Sequence, residues 1–178
     1  MRRVLLHVCC GPCATHSIED LRNESYDVTL FFSNSNIQPE EEYNKRLDSL
    51  KTYVNRIKIT LIIDNYNPDE WFELVKGYET SPEGGARCQI CIRTRLEKTA
   101  KYAKFHRFEG FTTTLTISPH KDFQLINELG VKLAKEYNVQ FLPKNFKKMD
   151  GFQKSITMSI EYQLYRQNYC GCRFSMQK

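Results

Sequence analysis

The chain has 178 residues, 26% of them charged and 40% hydrophobic, with a net charge of +5 and a pI near 8.8. That length suits one domain with its own core, and the composition excludes a disordered or low-complexity chain. No apolar run approaches the roughly 18 residues of a membrane span, and the charge permits a polyanionic partner without demanding one, since dedicated nucleic-acid binders lie above a pI of about 9.

In chain order, residues 4–8 form a short apolar run that reads as a first core strand. It is no signal peptide, because cysteines follow it where a small-residue cleavage site would stand. Residues 15–21 are polar-rich with helical character, and 27–32 are strand-like, ending in Ser33-Asn34-Ser35-Asn36. Residues 40–57 place Tyr43, Leu47, Leu50, Tyr53 and Val54 at helical spacing, and 59–63 are β-branched. A helical stretch opens at Cys88 and continues through Ile92, Leu96, Thr99, Ala100 and Ala103. Residues 108–117 are a fourth strand candidate, 122–137 carry Phe123, Ile126, Leu129, Leu133 and Tyr137 on one helical stripe, and 139–142 are a fifth strand. The remaining 144–178 are rich in lysine and aromatics with a helical pattern, a C-terminal extension that carries Cys170 and Cys172 back to the site.

Short strands alternating with helices specify α/β architecture, a parallel sheet wound by helices. With no repeat or linker, residues 1–178 read as a single domain. Ligands of such sheets sit beyond the carboxyl ends of the strands. The first cysteine group directly follows strand one, and Ser118-Pro119-His120-Lys121-Asp122 directly follows the fourth. Both are expected to open into that crevice.

Seven cysteines fall into three tight groups: Cys9-Cys10-Gly11-Pro12-Cys13, Cys88-Gln89-Ile90-Cys91 and Cys170-Gly171-Cys172. With neither leader nor span, the expected compartment is the cytoplasm, where thiols stay reduced and clustered cysteines bind metal or do redox chemistry. Cys88 and Cys91 share a face of the first helical turn, and a helix N-terminus favours the thiolate that binds metal. Adjacent Cys9 and Cys10 would face opposite ways within a strand and reach one site only where it ends, at Gly11-Pro12. The two pairs offer four thiolates, which suit either a [4Fe–4S] cluster or a closed zinc site. Seven cysteines exceed the needs of one zinc site, and a domain this long needs no metal staple. A Cys170–Cys172 disulfide would close a small strained ring, easily reduced and suited to redox work. Alternatively either thiolate completes the cluster or holds a second metal, and Cys13 belongs to the same choice.

Several blocks carry a resemblance. They are Leu5-Leu6-His7-Val8-Cys9-Cys10-Gly11-Pro12-Cys13, Phe32-Ser33-Asn34-Ser35-Asn36-Ile37-Gln38-Pro39, and Gly85-Ala86-Arg87-Cys88-Gln89-Ile90-Cys91. Phe111 through Lys121, Asn145 through Phe152 and Leu164 through Cys172 belong with them. Together they resemble the QueH family, the cobalamin-independent epoxyqueuosine reductases, along nearly the whole chain. The resemblance implies a HUP-like (adenine nucleotide alpha hydrolase-like) fold and reduction of epoxyqueuosine to queuosine at the tRNA wobble position, the last step of queuosine biosynthesis. It implies a [4Fe–4S] cluster on Cys9, Cys10, Cys88 and Cys91 and a redox-active Cys170 and Cys172 pair. Cys13 is then a candidate ligand of an additional mononuclear iron shared with Cys170 or Cys172.

Converting an epoxide to an alkene consumes two electrons and two protons, so an external electron donor is expected. Asp122, Asp150, His7 and His120 are the proton-donor candidates by position, Asp122 foremost. Arg87, Lys147, Lys148, Arg166 and Arg173 are the expected contacts to anticodon phosphates. Tyr162, Tyr165 and Tyr169, spaced along one helical face, would either stack on flipped-out bases or serve as core. A thiolation enzyme of the same fold would need a Ser-Gly-Gly-rich phosphate loop where Cys-Cys-Gly-Pro-Cys stands, and a zinc module binding RNA would show no redox response.

Overall fold

Val4 and Leu6 point to one side of the first strand and Leu5 to the other, and all three are buried. A strand apolar on both faces requires cover on both. The computed structural model, which describes residues 2–176, supplies it. β1 (Arg2–His7) is the middle of a five-stranded parallel sheet ordered β3-β2-β1-β4-β5. Its neighbours are β2 (Tyr26–Phe32) and β4 (Gly110–Thr113), and β3 (Leu61–Ile63) and β5 (Gln140–Phe141) form the edges. In register, Val4 pairs with Val28 on one side and Gly110 on the other. α1 (Gly11–Asn23) and α2 (Glu40–Ile57) cover the Val4 face, with α6 (Gly151–Glu161) packed across α1. α4 (Ala86–Phe105) and α5 (Phe123–Tyr137) cover the Leu5 face, and the short α3 (Pro68–Leu74) lies between β3 and α4 in sequence.

The strand order reverses at β1. The chain leaves it towards β2 and β3, then returns to its other side as β4. The loops after β1 and β4 therefore diverge and leave a crevice, the usual ligand position of open α/β sheets.

Several parts of the chain differ from the sequence expectation. The 108–117 strand stops at Thr113, and Thr114–Ile117 form a 3-10 turn. Threonines give this stretch a strand-like composition, yet their hydroxyls compete for the backbone. Thr113 Oγ1 accepts from Leu115 N at 3.1 Å, and Thr116 Oγ1 donates to Lys144 O at 2.8 Å. Edge strands β3 and β5 are shorter than 59–63 and 139–142, as unpaired edges tend to be. Helix α6 ends at Glu161, so Tyr162, Tyr165 and Tyr169 do not share a helical face. Each is anchored separately: Tyr162 packs edge-on to Tyr53, Tyr165 donates to Glu42 at 2.7 Å, and Tyr169 donates to the Gln38 carbonyl. Helix α3 has a signal in Asn67-Pro68-Asp69-Glu70, where Asn67 caps Glu70 N and proline takes the first turn.

Candidate functional site

β1 ends at His7, and the chain breaks at Cys9 and Cys10 before Gly11-Pro12 starts α1. Cys10 is the N-cap, its sulfur accepting from Cys13 N at 3.4 Å. That turn folds Cys13 back, so the sulfurs of Cys9, Cys10 and Cys13 all lie within 4.8 Å of one another. Cys9 also reaches across the crevice to β4's end, its sulfur 3.6 Å from Thr114 Oγ1. Hydrogen bonds from the Cys10 and Cys13 thiols pull the Cys9 pKa well below the usual thiol value. Burial pushes Cys10 up to about 12, and Cys13 rises well above the usual value as the donor to Cys10 and Cys9. The three sulfurs together form a donor set that could hold a cation.

Cys88 and Cys91 lie in the first turns of α4, behind Gly84, whose φ of +85° suits glycine, and the N-cap Gly85. Cys88 accepts from Gly84 N at 3.3 Å. Cys91 is buried beside Trp71, Val75 and Cys172, and burial raises its pKa. Among the described residues the Trp71 indole N–H has no nitrogen or oxygen partner, and it faces the Cys91 sulfur.

The last segment brings Cys170 and Cys172 to the same place. Arg46 of α2, 1% exposed, donates to the carbonyls of Cys170 at 2.9 Å and Tyr169 at 3.0 Å, and pairs with Glu42 at 2.8 Å. Gln38 N donates to Gly171 O at 2.9 Å. Gly171 has φ +143°, and a Cβ there would stand 3.1 Å from Ile37 and 3.3 Å from Arg46, so only glycine lets this backbone come so close.

A tight cleft of about 20 Å³ is lined by Cys88, Cys91, Cys170 and Cys172. A cavity of about 620 Å³ opens beside it, lined by Cys9, Cys13, Thr114, His120, Phe152 and Arg166 among others. Cys170, Lys121 and Arg95 line both. A hollow of about 880 Å³ lies at the far, amino-terminal end of the strands, between α4, α5 and β5, and holds no cysteine.

Two cations stand among these sulfurs. Lys121 Nζ lies 3.2 Å from Cys170 Sγ; burial lowers its pKa, but the neighbouring thiol outweighs that and the net shift is upward. Arg95, 5% exposed, faces Cys91, Cys170 and Cys9, which likewise outweigh its burial and raise its pKa. Among the described residues neither cation pairs with a carboxylate. Their counter-charge is sulfur, so the site fits an anionic thiolate-bound centre.

The other expected site residues divide. Arg166 is exposed on the cavity wall, and Lys148 and Arg173 are exposed, the latter over the Phe72 ring at 4.3 Å. Lys147 is half-buried and holds the 118–122 loop through the carbonyls of Ser118 at 3.2 Å and Lys121 at 2.6 Å. Arg87 is not at the surface: it is 2% exposed, and its guanidinium binds the carbonyls of Tyr78, Glu79 and Ser81. An arginine beside a cysteine in sequence reads as a phosphate ligand, but on α4 it faces inward and closes the preceding loop. Asp122 is exposed and caps α5, accepting from Gln124 N at 2.8 Å. His7 is buried with both ring nitrogens engaged, by Thr113 and the Ser33 carbonyl, and burial lowers its pKa to about 4. It is a neutral core histidine. Asp150 is exposed at the start of α6, and His120 is exposed on the large cavity.

The family model described as epoxyqueuosine reductase QueH matches residues 4–178. An epoxyqueuosine reductase QueH from Streptococcus pyogenes is 41% identical, covering 97% of this chain and 69% of that protein. Its counterpart from Thermotoga maritima is 39% identical, covering 99% of this chain and 91% of that one. Among solved structures, the predicted subunit of a tRNA methyltransferase from Methanocaldococcus jannaschii superposes with a TM-score of 0.60 at 13% identity. It covers 90% of this chain and 75% of that one, a likeness of fold alone.

Proposed function

The chain belongs to the epoxyqueuosine reductase QueH family, and on that premise we propose how its seven cysteines share the reduction of epoxyqueuosine in tRNA. Cys9, Cys10, Cys88 and Cys91 hold a [4Fe–4S] cluster, and Cys170 and Cys172 are a redox-active pair. The observation that carries this reading is the convergence of all three cysteine groups on adjoining cavities at the β1–β4 crevice. The uncompensated charges of Arg95 and Lys121 support it, because a cluster with four thiolates carries the negative charge they lack.

Reduction of an epoxide to an alkene releases one oxygen as water and takes up two electrons and two protons. The cluster, when bound, supplies electrons one at a time. Oxidising the thiols of Cys170 and Cys172 to a disulfide releases two electrons and two protons, which balances the reaction. An external electron donor then restores the dithiol. Arg46, Gln38 and Gly171 hold that segment against the rest of the site. The cavity of about 620 Å³ receives the modified base, with the apolar Phe152 and Ile156 of α6 on one wall and Arg166 at its edge. Arg166, Lys148 and Arg173 meet tRNA phosphates, and Lys147 positions the loop beneath them. The 144–178 segment acts within the single domain as the carrier of the redox pair. Such thiol chemistry suits the cytoplasm.

A second reading is favoured by the closeness of Cys13 to Cys9 and Cys10, and by its sharing the larger cavity with Cys170. Here Cys13 binds an additional mononuclear iron together with Cys170 or Cys172. Mössbauer spectroscopy of anaerobic protein and its Cys13→Ser variant separates the two. An unchanged spectrum in the variant supports four-cysteine ligation with no further iron. Loss of an isolated-iron component alone supports the second reading. Collapse of the cluster in Cys13→Ser would make Cys13 a cluster ligand, and zinc without iron or sulfide would overturn both.

A further inference from the structure

Arg95 stands one helical turn beyond Cys91 on α4, so the same periodicity that turns the Cys91 sulfur inward turns the guanidinium inward too. Among the described residues the one hydrogen bond its guanidinium makes is from Nε to the Cys91 carbonyl at 3.3 Å, although it carries five N–H donors. Its side chain lines the cleft of Cys88, Cys91, Cys170 and Cys172 and also the cavity of Cys9, Cys13 and Cys170. It therefore lies against both sulfur sets, as Lys121 does. No other arginine lines either space except Arg87, which is committed to three carbonyls, and Arg166, which is exposed.

We propose that Arg95 is a positioning residue that raises the reduction potential of the sulfur-bound centre by placing a fixed positive charge against both cysteine sets. The inference rests on the cluster reading above. Reduction adds negative charge, and a cation alongside stabilises the reduced form more than the oxidised one. The effect is large where water is excluded, and net charge and hydrogen bonds to sulfur are among the protein's main means of setting such potentials. A guanidinium serves better than an ammonium or imidazole, since it stays charged at any working pH. Lying against both sets, it acts on the cluster and on Cys170 together.

The test is an EPR-monitored redox titration of the cluster-loaded full chain beside Arg95→Lys, Arg95→Met and Arg95→Gln. The neutral variants should shift the midpoint negative by at least a tenfold change in the oxidised-to-reduced ratio at fixed potential, about 59 mV for a one-electron couple. Arg95→Lys should stay near the wild-type value, which a purely steric role would not predict. Loaded neutral variants with a wild-type midpoint overturn the proposal. So does a result in which both neutral variants fail to take up iron while Arg95→Lys loads, because the charge is then needed for binding rather than tuning. Wild-type protein that assembles no iron–sulfur cluster overturns the cluster reading itself, and this inference with it.

Discussion

Arg46 connects the middle of α2 to the end of the chain. Its engagement combines the Glu42 ion pair, the two carbonyls of residues 169 and 170, and stacking at 5.3 Å on the Tyr169 ring, while Glu42 in turn accepts from Tyr165. Removing one partner of such a pair strands the other charge in a dry site, at a cost of about 3 to 5 kcal/mol. Arg46→Met should lower stability by about that amount in urea unfolding. It should also make Cys170 alkylate faster with iodoacetamide under conditions where the fold persists. A variant with wild-type stability and wild-type Cys170 reactivity would contradict the clamp. At this scale the sequence was only partly readable. The cysteines announce themselves by spacing, whereas Arg46, Arg95 and Lys121 look like ordinary surface charges until the fold buries them. The buried Arg87 shows the converse, since proximity in sequence to Cys88 says nothing about which way a helix turns its side chain.

Helix positions follow from periodicity more faithfully than strand ends do. The 40–57 helix is observed with those bounds, and the 122–137 stripe becomes α5 with Asp122 as its cap. The fourth strand is cut short because threonine hydroxyls bind backbone, an alternative that composition alone does not reveal. Likewise the segment after Glu161 leaves the helix because Tyr162, Tyr165 and Tyr169 each find a separate anchor. The packing of α6 on α1 depends on Gly151, where an added Cβ would stand 1.8 Å from the Phe146 carbonyl and 2.8 Å from the His16 ring. Neither backbone nor buried ring can yield that far without moving the helix. Gly151→Ala should therefore cost at least about 2 kcal/mol, towards or beyond the upper end for overpacking. Thermal unfolding of the variant measures it, and an unchanged midpoint would mean that α6 is free to shift.

For the molecule as a whole, sheet topology decides where chemistry can occur. Reversal of strand order at β1 separates the loops after β1 and β4, α4 delivers Cys88 and Cys91 from one side, and the last segment delivers Cys170 and Cys172 from the other. The alternation of short strands and helices made the crevice foreseeable, and the cysteine spacing made a sulfur-lined site foreseeable. How seven sulfurs divide between two adjoining cavities depends on long-range packing, which no local pattern encodes. The central claim is that the Cys170–Cys172 dithiol supplies the two electrons for deoxygenation. A single-turnover experiment tests it directly: anaerobic, fully reduced, cluster-loaded protein is mixed with epoxyqueuosine-containing tRNA without an external donor. Product and thiol state are then read by mass. The account predicts queuosine in step with a Cys170–Cys172 disulfide, and no queuosine from Cys170→Ser or Cys172→Ser protein that retains its cluster. Queuosine formed while both thiols stay reduced, or formed equally well by those variants, would contradict it.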